Sequence, residues 1–163
     1  MKALALAALA ASQPLPAEQL EIALRVAGPG LPHCRSYLAD GSEAPCLPAF
    51  ALRPGATVNG WSLGPHIHFS QAATRRLNRN EFALLAGHEI AHWYLGHQAS
   101  TPETERAADR FGAQLACRAG FDPVAGASLF GHLRPSRHHP PAAERREVVL
   151  AVGCVGERGR VVR

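Results

Sequence analysis

His88-Glu89-Ile90-Ala91-His92, followed thirteen residues after its second histidine by Glu105-Arg106-Ala107-Ala108-Asp109, decides how this chain is read. Residues four apart on a helix share a face, so His88 and His92 can present two imidazole nitrogens to one metal ion. Glu89 lies one residue round from the first histidine, where it can reach a water on that ion without ligating it. This is the spacing in which two histidines hold zinc and a glutamate takes the proton of the attacking water.

A catalytic zinc takes three protein ligands and leaves one position open. His97 follows closely, but five residues beyond His92 is about 500° of helical rotation, off the shared face. It reads instead as a helix-end histidine, suited to the negative end of the helix dipole. A metzincin would carry its third histidine at position 98, where this chain has Gln98. Glu105 fits better. Gly96 to Thr101 can end the first helix and turn the chain, and Ser100-Thr101-Pro102-Glu103 reads as a new helix start with Ser100 or Thr101 as cap. Glu105 then sits near the N-terminus of the second helix, pointing back at the first. Asp109 shares its face and can hydrogen-bond the outer nitrogen of a ligand histidine, fixing its tautomer. The small Ala107 and Ala108 would let the two helices approach.

Taken together, His88-Glu89-Ile90-Ala91-His92 and Glu105-x-x-Ala108-Asp109 resemble the gluzincin peptidases of the HtpX and CAAX-prenyl-protease family. Val58-Asn59-Gly60-Trp61-Ser62 and Ile67-His68-Phe69-Ser70 are similar to the two strands preceding that family's active-site helix. Arg76 to Phe82 resembles the start of that helix, and Ala119-Gly120-Phe121-Asp122-Pro123 the turn after the glutamate helix. His139-Pro140-Pro141 with Arg145 resembles the family's His-Pro segment and its nearby arginine. The likeness spans roughly residues 55 to 150. It implies that His139 stabilises the oxyanion of a tetrahedral intermediate and that Arg145 anchors its loop. Gly60 stands where the family usually has alanine. His138 replaces a small hydroxyl residue, which leaves His138 and His139 both open as the histidine facing the metal.

The chain has 163 residues, 47% of them apolar, enough for one domain with a core of its own. Its net charge is +4, but the arginines are scattered, with no basic run interleaved with aromatics, so nucleic acid is not an expected partner. Lys2, the lone lysine, precedes the apolar run Ala3 to Ala11 and small residues at cleavage spacing, so residues 1–12 read as a signal peptide. The run is too short to span a bilayer. Residues 13–163 are then a single exported domain, periplasmic by this reading, with no stable membrane insertion after processing. Cys34, Cys46, Cys117 and Cys154 form no CxxC pair. An oxidising compartment would allow Cys34–Cys46 and Cys117–Cys154 bridges, one of three possible connectivities. The first would close a short Gly- and Pro-rich loop.

Local patterns predict a helix over 17–26, an irregular stretch over 31–56 punctuated by prolines, and two strands within 57–70 around Gly64-Pro65. The metal helix follows over 80–95, the glutamate helix over 102–119 with Gly120 beyond its end, and a third helix over 123–133 capped by Asp122. A loop over 134–141 and a final helix or strand over 142–152 complete the domain, with a frayed tail over 156–163. Trp93 and Tyr94 read as core residues. His66 and His68 alternate on a strand and face either a peptide or solvent.

The expected fold is α+β, a mainly helical zincin-like domain with a small sheet beside the active-site helix. The expected activity is that of a zinc endopeptidase holding one Zn²⁺ on His88, His92 and Glu105, with Glu89 activating water. Its partner would be an extended or unfolded polypeptide, bound by strand addition near Ile67, His68 and Phe69, with Asn59 contacting its backbone. Oligomeric state is not legible. The alternative is a catalytically quiet, zinc-containing binding or chaperone-like module.

Overall fold

The computed structural model describes residues 13–37, 39–134 and 136–154. The expected signal segment and the tail over 156–163 lie outside them. The described residues form a mixed α/β fold of six α-helices and two small sheets. Helix α1 (Ala17–Ala27) is stopped by Gly28, whose φ of 64° takes the chain out of the helix. Strands β1 (Leu31–Tyr37) and β2 (Glu43–Cys46) pair antiparallel. Asp40 accepts hydrogen bonds from the backbone and hydroxyl of Ser42 in the turn between them. Strand β3 (Ala49–Arg53) pairs parallel with β5 (His66–Ser70), and β4 (Gly60–Leu63) pairs antiparallel with β5 across the Gly64 turn, so the order is β3-β5-β4.

The irregular reading of 31–56 is therefore corrected: the segment contains three strands. Its prolines mislead because they fall where a strand tolerates them, Pro32 and Pro45 within a two-stranded sheet that is all edge, and Pro48 and Pro54 just outside β3.

Ser70 ends β5 and caps the short α2 (Gln71–Arg76), accepting from the Ala73 amide. Asn78 and Glu81 form a capping box that starts α3 (Arg79–Tyr94). Thr101 caps α4 (Pro102–Arg118), with Pro102 in its first turn. Asp122 caps only the short α5 (Pro123–Gly126), which tightens into a 3₁₀ turn over Ala127–Gly131, and α6 (Ala142–Leu150) resolves the last element as a helix.

Helix α3 is the axis of the molecule. Every residue from Glu81 to Ala91 is buried, because α1, α4, α5 and the three-stranded sheet all pack around it. Phe69 of β5 meets Phe82 of α3 with ring centroids 4.9 Å apart, fixing the sheet against the helix. Cys34–Cys46 joins β1 to β2, and Cys117–Cys154 ties the end of α4 to the segment after α6, the pairing that the sequence left among three. Among the described residues no helix is long and apolar enough to cross a membrane.

Candidate metal centre

The site exists because two helices touch at glycine. A Cβ added to Gly87 of α3 would lie 2.4 Å from the Gly112 carbonyl oxygen, and one added to Gly112 would lie 2.6 Å from the His88 backbone nitrogen. Backbones this close bring residues 88 and 92 of α3 opposite residues 105 and 109 of α4. Ala108 is buried as expected, but the two glycines set the approach.

His88 Nε2 and His92 Nε2 lie 3.1 Å apart, and Glu105 Oε2 lies 3.3 Å from the former. Glu105 Oε1 is 3.5 Å from His92 Nε2. Donor atoms at bond lengths of about 2.0–2.1 Å from one tetrahedral ion are separated by roughly 3.3 Å, so these spacings are those of a shared ligand sphere. Glu105 Oε2 is buried without a well-formed hydrogen bond, its near neighbours being His88 Nε2 at 3.3 Å and His139 Nε2 at 3.2 Å, while Ser100 Oγ donates to Oε1 at 2.6 Å. A buried carboxylate oxygen without a hydrogen bond is costly, and a cation among these three side chains removes that cost. His88, His92 and Glu105 could thus hold a metal ion.

The outer atoms are held as well. Asp109 Oδ1 lies 2.9 Å from His88 Nδ1, placed to accept a hydrogen bond from it, so that in the neutral ring the Nε2 lone pair faces inward. Arg145 of α6 donates Nε to Asp109 Oδ2 at 2.8 Å and Nη2 to Oδ1 at 2.7 Å. Its buried guanidinium also packs 4.8 Å from the centre of the Phe130 ring. Arg145 also lies beside Ser136, His139 and Pro140 of the loop that the resemblance has it anchor, while its hydrogen bonds go to Asp109. Burial acts to lower the His88 pKa, but hydrogen bonds to Asp109 and Glu105 outweigh it and raise it to about 9. Burial likewise acts to raise the Glu105 pKa, and the bonds to His88, His92 and Ser100 overcome it and hold the carboxyl far below the usual range. The pair attracts a proton between its members, and a metal would compete for that position.

Glu89 is buried on the sheet side of α3. A Cβ on Gly60 would fall 2.7 Å from its Cγ and Oε1, so the glycine leaves the space that the carboxylate fills. Burial raises its pKa against the lowering pull of His88 and His92, which makes it a stronger proton acceptor than an exposed glutamate. His139 reaches the same place from the 134–141 loop, with Nε2 3.2 Å from Glu105 Oε2 and Nδ1 2.6 Å from Ser136 Oγ. His138 is exposed and accepts from Arg137 Nε, so of the two histidines it is His139 that lies against Glu105.

An open cleft of about 320 Å³ joins these groups. Glu89, His92, Glu105 and His139 line it, Leu129, Phe130 and Leu133 add an apolar wall, and Asn59 to Ser62 run along it. Here the substrate-strand expectation fails. Ile67, His68 and Phe69 belong to β5, which is hydrogen-bonded on both sides, and all three side chains are buried. Strand addition needs a free edge, and β4 has one. Asn59 is retained at the cleft, where its side-chain oxygen accepts from the Gly60 amide at 3.0 Å. Sequence reasoning offers Ser100 only as a candidate cap, missing its bond to Glu105, and passes over the Gly87–Gly112 contact. The repeated glycine opposite a helix motif was the one local signal for the latter.

No family model matches this chain, and no curated protein matches it.

Proposed function

We propose that the protein is a zinc-dependent endopeptidase of the HExxH gluzincin type, similar to the HtpX family, with a zincin-like arrangement of α3, α4 and the small sheet. The convergence of His88 Nε2, His92 Nε2 and the buried Glu105 Oε2 beside Glu89, in a cleft bordered by a free strand edge, supports this reading.

A zinc ion held by His88, His92 and Glu105 would polarise a peptide carbonyl and acidify water. The chain's own groups do the rest. An extended polypeptide pairs its main chain with the outer edge of β4, which places a scissile bond across the cleft. Because that pairing is made by backbone groups, it accepts many unfolded sequences. Glu89 removes a proton from the attacking water and delivers it to the leaving amine. His139, protonated on Nε2, donates to the carbonyl oxygen as charge develops there. Asp109 and Arg145 keep His88 in one tautomer throughout. The two disulfides support export to an oxidising compartment such as the periplasm, where cleavage of unfolded envelope proteins would serve quality control.

Cleavage of an unfolded protein by wild type and Glu89→Gln, with zinc content measured on both, tests this. We expect about one zinc per chain in each and chelator-sensitive cleavage only by the wild type, a loss of at least about 10²-fold in the variant. Zinc in both without cleavage by either would favour a quiet binding module. Absence of zinc from both would overturn the metal centre.

A further inference from the structure

The Gly96–Thr101 turn does more than join two helices. Helix α3 ends in a paired-bond turn in which the Gly96 amide bonds the Trp93 carbonyl at 3.1 Å and the His97 amide bonds the His92 carbonyl at 3.0 Å. Gly96 takes φ 67°, the left-handed conformation this termination requires. In such turns the second residue past the helix folds back over the residue whose carbonyl it binds, and an apolar contact commonly joins their side chains. Here those two residues are His97 and His92. Helical extrapolation put His97 on the wrong face because the helix has already ended.

His97 Nδ1 lies 3.0 Å from His92 Nδ1, with the rings edge to face at 73°. Only one of the two nitrogens can carry the shared proton. His92 turns its other nitrogen, Nε2, towards His88 Nε2 and Glu105. For Nε2 to offer a lone pair there, the neutral ring must be protonated on Nδ1, and His97 Nδ1 must accept that proton's hydrogen bond.

Building on the metal-centre reading above, we propose that His97 is a positioning residue of the site: its Nδ1 accepts from His92 Nδ1 and so delivers the His92 Nε2 lone pair to the metal. Each ligand then has its own outer partner, Asp109 for His88, Ser100 for Glu105 and His97 for His92. A neutral imidazole does for His92 what a carboxylate does for His88. Two of the three partners come from the turn.

The test is the zinc affinity of the full chain, measured by competition with a chromogenic chelator, for wild type, His97→Leu and His97→Asn. Leucine keeps bulk but removes the acceptor, while the asparagine carbonyl can occupy the acceptor position. We expect His97→Leu to bind zinc about 10- to 100-fold more weakly and His97→Asn to stay close to wild type. Nitrogen NMR of the zinc-loaded wild type should show His92 protonated on Nδ1. Equal affinity of wild type and His97→Leu, or equal losses in both variants, would overturn the role of His97 while leaving the metal centre standing. Failure of the wild type to bind zinc would overturn both.

Discussion

Where α3 crosses α4, the backbones meet at Gly87 and Gly112 and a buried Arg145–Asp109–His88 chain spans the contact, with no covalent link between the two helices there. In the β1–β2 hairpin no described side chain is buried, and the strands are joined by Cys34–Cys46. The crossing holds its geometry by excluding water from backbone and paired charge. The hairpin has almost no core to do so, and a cross-link that limits its unfolded conformations substitutes for one. The groups proposed to do chemistry sit where packing fixes position, and the bridged hairpin lies away from the cleft.

The largest break in this contrast should come from Asp109→Ala, which leaves the Arg145 charge buried without its partner. We expect a loss of about 3–5 kcal/mol in denaturant unfolding, together with weaker zinc binding. A loss below about 1 kcal/mol, the value of an exposed pair, would show that the charge chain does not hold the crossing. Gly112→Ala comes next, because the added methyl meets backbone that has no rotamer to yield. Its expected cost is about 3 kcal/mol, again with loss of zinc affinity, since His88 moves with Gly87. The smallest effect should follow Cys34→Ser with Cys46→Ser. About 2 kcal/mol of stability would go, while zinc affinity measured on the folded protein stays unchanged. A change in affinity there would mean that the hairpin supports the site after all.

Much of the site was legible because its rules are local. The spacing of His88 and His92, the capping of α4 by Thr101 and the place of Glu105 within its first turns follow from helix geometry over a few residues. The Gly120 and Asp122 signals stood out for the same reason. The strands over 31–53 were not legible, since their short, proline-flanked segments alternate poorly and gain their pairing from distant partners. Ile67, His68 and Phe69 read as an open strand in the sequence because it shows that a strand exists without showing who lies beside it.

What the sequence by itself determined is the donor set: which side chains are available, at which helical spacing, with which caps and which cysteines. What only the tertiary structure decided is who faces whom. It put β5 in the middle and β4 at the edge, chose His139 over His138, directed Arg145 to Asp109, and folded His97 back onto His92. The physical reason is range. Helix periodicity and capping act over three to five residues, whereas strand order, a glycine-to-glycine crossing and the partner of a buried charge depend on segments that meet only when the chain has folded.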